Sequence, residues 1–234
     1  MCNLARHGAT ANMTLIEKIQ YSVLITTLII GMVRYRRLTI PFKILASSLV
    51  ITMTLEIFAR FLSVKFKNNA PAYHLMSISG FAFYSLVYYC LFKSKKLKRF
   101  VLISLSAVIF FFFVNLLFLQ QLKVFPTNIY LVTNSLYIIL SLLLFKQMLQ
   151  YSLETSITKQ SAFWFNTAIL FYSATMFLLM ALINYYAEHA WGYDILFYIW
   201  GTNFILFYAL IAAALLVDKK EYEPKKWEMT TSDL

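Results

Sequence analysis

Charge is what this chain has little of. Asp, Glu, Lys and Arg make up 13% of its 234 residues, where a soluble domain carries roughly a quarter. Cysteine is nearly absent as well. Only Cys2 and Cys90 occur, and Cys90 falls inside an apolar run, so neither a disulfide framework nor a cysteine metal site is available. The four prolines (Pro41, Pro71, Pro126, Pro224) stand at the starts of apolar runs or in the tail, and none interrupts one. Broken helices mark many ion-coupled transporters, so their absence counts against that class. The five glycines form no GxxxG pair; Gly80 and Gly201 lie in mid-run and read as places of close helix contact. No cleavable signal peptide is evident either, because the first dozen residues, MCNLARHGATAN, are polar. Whether Met1 or Met13 is the true start stays open.

What is present is apolar. The chain is 61% hydrophobic and 18% aromatic, with a mean hydropathy of +0.68, the composition of an integral membrane protein. Seven apolar runs are legible, about 15–33, 40–64, 71–92, 100–119, 126–149, 162–186 and 191–217. Each is long enough for a ~30 Å hydrocarbon layer at 1.5 Å rise per residue. Thr14 with Glu17 reads as a capping box opening the first run. Thr39 reads as the cap of the second, with Pro41 in its first turn. The clearest run is SAFWFNTAILFYSATMFLLMALINYY, Ser161 to Tyr186, with Phe163 and Trp164 at one end and Tyr185 and Tyr186 at the other. The expected fold is therefore all-α: a seven-helix membrane bundle over 14–217, preceded by a flexible 1–13 extension and followed by a cytoplasmic tail, 218–234.

The net charge of +11 does not point to nucleic acid, because the basic residues sit in short clusters between apolar runs, as topology signals do. Of the 21 Lys and Arg residues, 15 fall on one side (Arg34 to Lys43, Lys93 to Arg99, Lys146, Lys159 and the tail) and 6 on the other. The positive-inside rule then places the N-terminus outside and the C-terminus in the cytoplasm.

Glu56 is the one carboxylate well inside a run, and an acid there is a functional candidate by default. Arg60 follows at i+4 and can pair with it, as a structural ion pair or as part of a ligand, ion or proton site. Asn115, Asn134, Asn166 and Asn203 fall in the fourth to seventh runs beside Tyr84, Tyr137, Tyr172, Tyr198 and Tyr208. Bonding between helices is their default role, with an outer-half polar pocket as the sharper one. In the last run Trp191, Asp194, Tyr198 and Thr202 recur at helical spacing. His7, His74 and His189 are scattered and lack any HExxH or HxxxH pattern, so no metal site and no cofactor is expected. No nucleophile–base order, P-loop or GxGxxG occurs, and an enzyme is not expected. A retinal protein would need a lysine in the last run, and a receptor an NPxxY-like turn; neither exists.

The mid-run acid Glu56, the segment KNNAPAYHL (Lys67 to Leu75) and the entry SAFWFNTAILFY (Ser161 to Tyr172) together resemble the seven-helix membrane input module of some bacterial histidine kinases, and stand-alone proteins of the same length. The resemblance covers nearly all of 15–217. In fused members the last helix leads into a kinase core, whereas here no kinase histidine motif or ATP-binding segment follows. The resemblance implies a sensory or accessory component of the cell (inner) membrane whose partner is a separate histidine kinase or other cytoplasmic signalling protein. A small transporter or channel built around Glu56 is the alternative, and a scaffold or assembly factor a third possibility.

Overall fold

The computed structural model describes residues 13–151, 156–187 and 190–219, with the side chains of 151 and 183–194 outside the described set. The expected extension (all but Met13), the tail beyond Lys219, His7 and His189 therefore lie outside the described residues, as do the side chains of Tyr185, Tyr186, Trp191 and Asp194. Within that set the protein is helical and has no strand.

Seven long helices follow one another: α1 Leu15–Arg34, α2 Ile40–Phe66, α3 Ala70–Leu91, α4 Lys95–Val114, α5 Thr127–Tyr151, α6 Ser161–Ala187 and α7 Ala190–Val217. All seven are long and apolar enough to cross a membrane. Every apolar run read from the sequence is one of them. The main difference is α4, which begins five residues earlier than 100 because the basic stretch Lys95–Arg99 winds into its first turns. It also ends in a π-helical turn, Asn115–Leu119.

The cap of α1 is the one the sequence spells. The Glu17 backbone N–H donates to Thr14 Oγ1 at 3.3 Å, and the Thr14 N–H donates to Glu17 Oε2 at 2.7 Å. The cap of α2 is not. Thr39 makes no side-chain cap bond to its own helix. Its N–H and hydroxyl instead donate to the Asp218 carboxylate at 2.7 and 3.2 Å, and the Ser161 hydroxyl donates to the same group at 3.1 Å. Arg34 donates to the Asp218 carbonyl at 2.8 Å. One buried acid just past α7 thus ties together the ends of α1, α2, α6 and α7.

Short connections make neighbouring helices antiparallel, and the principal packing pairs close a ring: α1 on α2, α2 on α3, α3 on α5, α5 on α6, α6 on α7, and α7 back on α1. Helix α4 lies outside this ring, against α3 and α5. Its outward face is apolar, with Phe110 71% and Phe118 79% exposed. The other helices also turn large apolar side chains outward, among them Ile57, Phe171 and Leu178. An apolar exterior of this extent is what a lipid solvent accepts and water does not.

At the end formed by residues 34–40, 91–95 and 156–161, the ring is filled by a dense core in which Phe42, Leu45, Tyr88, Phe92, Phe165 and Leu215 are essentially inaccessible. A buried polar network forms there: Tyr88 donates to Asn166 Oδ1 at 2.9 Å and meets the Ser141 hydroxyl at 2.7 Å. Gln147 caps the end of α3, accepting from the Lys93 N–H and donating to the Leu91 carbonyl. The opposite half of the ring holds a smaller cluster around Met176, Leu179, Met180 and Leu196 and is only partly filled.

Candidate functional site

Two contiguous cavities occupy that partly filled half, of about 100 Å³ and about 90 Å³. Glu56, Tyr73, Trp200 and Phe204 border both. The first lobe lies toward the end that holds the start of α1 and the end of α2, with Glu17, Gln20, Arg60 and Ser63 in its wall. The second runs deeper, between Gly80, Tyr84, Asn134, Tyr137, Tyr172 and Tyr208. Space of this size is room for several waters or one small solute, well short of the ~300–1,000 Å³ of drug-sized pockets.

Helical geometry explains why these side chains converge. On α2, Thr52, Glu56, Ala59, Arg60 and Ser63 recur at spacings of three and four, so they form one stripe. Thr52, Glu56, Ala59, Arg60 and Ser63 all border the lobes. Ile57 and Phe61, beside that stripe, are 60% and 52% exposed and face outward. Glu56 lies ten residues before the end of α2, roughly 15 Å along the axis from that end. On α1, Glu17 and Tyr21 are one turn apart and face the α2 stripe.

The polar contacts correct one expectation. Arg60 does not pair with Glu56. The guanidinium Nη1 reaches Glu17 Oε1 on α1 at 4.0 Å, because its side chain extends toward the helix end, away from the deeper carboxylate. The Glu56 carboxylate, 9% exposed, accepts one hydrogen bond, from the Tyr21 hydroxyl at 3.4 Å. That is a long bond for an O–H donor. Two further polar atoms on the walls have no hydrogen-bond partner, Ser63 Oγ in the first lobe and Asn134 Oδ1 in the second.

The rings form a near-continuous wall. Tyr73 meets Trp200 at 6.0 Å and Phe125 at 5.2 Å, and Phe125 stacks on Tyr130 at 5.4 Å. Deeper in, Tyr84 meets Tyr137 at 6.0 Å and Phe207 at 6.1 Å, and Tyr172 meets Phe207 at 4.8 Å. Gly80 completes the deep lobe: a Cβ built there would meet nothing within 4 Å. The sequence reading made Gly80 a close helix contact; it is instead a gap in the wall. Gly201 is the close contact, since a Cβ there would lie 2.8 Å from Cγ1 of Ile16 on α1.

Of the candidates read from sequence, Glu56, Arg60, Asn134 and Tyr172 border the cavities. Asn115, Asn166 and Asn203 do not, and their hydrogen bonds explain them as links. Asn115 closes the π turn and accepts from Asn128 at 3.0 Å. Asn166 belongs to the Tyr88–Ser141 network. Asn203 donates to the Tyr172 carbonyl at 3.2 Å, joining α7 to α6. Tyr198 is 61% exposed and faces outward, being one residue off the stripe that carries Phe197 and Trp200 inward. His74 lies in the first turns of α3, buried, with Nε2 3.0 Å from the Val124 carbonyl. No group of three metal-ligating side chains occurs among the described residues.

Sequence reasoning missed Tyr21, Ser63, Tyr73 and Trp200. The small-and-polar stripe of α2 would have revealed Ser63, whereas nothing local distinguishes Tyr73 or Trp200 from boundary aromatics. Compared with protein-family models, curated proteins and solved structures, the chain finds no match.

Proposed function

We propose that this is a multi-pass protein of the cell (inner) membrane, N-terminus outside and C-terminus in the cytoplasm, that senses a small solute and passes its state to a separate cytoplasmic effector, a histidine kinase or another signalling protein. The observation that carries this reading is the cavity around Glu56. Polar side chains line the half of the bundle that the positive-inside rule directs outward, while the cytoplasmic half is packed solid. A solute taken up from outside would change how α1, α2, α3 and α7 fit around it. The basic 93–99 connection and the 146–160 segment would carry that change to the partner. No chemical step is needed, and no enzymatic activity is proposed.

The test is photocrosslinking from positions in the 146–160 segment in native cells. Recovery of a signalling protein supports the reading, and recovery of none overturns it. The location of Glu56 between the two lobes favours a second reading, a small transporter using the same site. That reading requires flux into reconstituted vesicles that Glu56→Gln abolishes; absence of flux in the natural protein removes it.

A further inference from the structure

We propose that the cavity around Glu56 binds a small organic ammonium ion, with the carboxylate as its counter-charge and the surrounding rings as its cage. The inference rests on the sensory reading and names the ligand of that same site.

The first argument is charge. Among the described residues, the side chains bordering the two lobes include two carboxylates, Glu17 and Glu56, and one cation, Arg60, which reaches Glu17. The described residues of the deeper lobe include no Lys, Arg or His. Among these described side chains Glu56 is therefore the unbalanced group, nine-tenths buried with one 3.4 Å hydrogen bond. A carboxylate so placed keeps its charge only beside a cation.

The second argument is the chemistry of the wall. A hard inorganic cation takes about six oxygen ligands, and the described lining adds as a second carboxylate only Glu17, which Arg60 already reaches. What the site offers in quantity is ring faces: Tyr73, Trp200 and Phe204 around the carboxylate, with Tyr172 and Phe207 beyond. One carboxylate among aromatic rings is the arrangement that cation–π attraction rewards, most of all where the contact is desolvated. Asn134 Oδ1 and Ser63 Oγ, both without partners, remain for a hydroxyl or amine donor on the ligand. The lobe volumes restrict that ligand to a few heavy atoms.

The test uses the full chain in lipid nanodiscs and radiolabelled choline as the probe. Competitors are tetramethylammonium, sodium, and the uncharged carbon isostere of choline in which a tert-butyl group replaces the trimethylammonium. Saturable choline binding, displaced by tetramethylammonium but not by sodium or the isostere, is the expected result. Glu56→Gln should weaken binding by ~100-fold or more, as loss of a buried ionic partner does, with Glu56→Asp retaining part of it. Trp200→Leu should weaken it by about tenfold, and Gly80→Leu should also reduce binding by filling the deep lobe. Absence of choline binding, equal displacement by the isostere or by sodium, or undiminished binding to a folded Glu56→Gln protein overturns the proposal. Crosslinking at the 146–160 segment is scored in parallel. A partner recovered without ammonium binding removes the ligand and leaves the sensory reading, whereas ammonium binding without a partner does the reverse.

Discussion

Glu56 and Asp218 are both buried acids, and their surroundings give them opposite roles. Asp218 accepts three hydrogen bonds, from the Thr39 N–H, the Thr39 hydroxyl and the Ser161 hydroxyl, so its carboxylate is satisfied and structural. Glu56 accepts one long bond, from Tyr21, so its burial is a cost to the fold rather than a support. Replacing an under-solvated charge by a neutral isostere is often neutral or stabilising. Glu56→Gln is therefore expected to unfold, without ligand, at the natural protein's temperature or a few degrees above it. At this chain length about 1 kcal/mol corresponds to roughly 2–4 °C. A clear drop in Tm would mean that the carboxylate holds the bundle together. Asp218→Ala is expected to act the other way, costing about 1–3 kcal/mol by stranding buried donors. Hydrogen exchange should show the loss of protection at the starts of α2 and α6, and unchanged exchange there would contradict the clasp.

At the level of the helix, two glycines of the same chain separate packing from cavity. A side chain at Gly201 must displace the Ile16 and Gln20 side chains of α1, which already stand against it, whereas a side chain at Gly80 enters open space. Gly201→Leu should therefore lose about 1–3 kcal/mol through overpacking, seen as a lower Tm. Gly80→Leu should leave Tm near the natural value. Equal losses would show that Gly80 is not at a gap. The helix ends follow similar logic. Thr14 and Glu17 close a cap entirely within α1, so local sequence is enough to specify it. The start of α2 depends on a residue 179 positions away, which no local pattern reveals.

For the molecule as a whole, the organisation is polar inside one half and apolar outside all round. Lipid makes the exterior inexpensive, and the ring of six helices with α4 alongside leaves space where bulky rings meet instead of interlocking. The proposed orientation makes a definite prediction. In a background with both Cys2 and Cys90 replaced by Ser, a cysteine at Lys123 should react with an impermeant maleimide from outside intact cells. Cysteines at Lys95 or Lys159 should react only after the membrane is opened, and the reverse pattern would invert the topology.

The sequence by itself determined the seven helices, because hydrophobic runs of membrane length and the Thr14–Glu17 cap are local properties of the chain. It also singled out Glu56, since a lone acid in such a run is conspicuous without any structure. Tertiary packing alone decided the rest. Whether an asparagine is a link or a wall residue depends on helix rotation, which separated Asn134 at the cavity from Asn166 in a closed network. Arg60 and Glu56 share a helix face, yet the approach of α1 gave Glu17 to the arginine and Tyr21 to the acid. Pairings of that kind are made between helices distant in sequence, where hydrophobic periodicity carries no information.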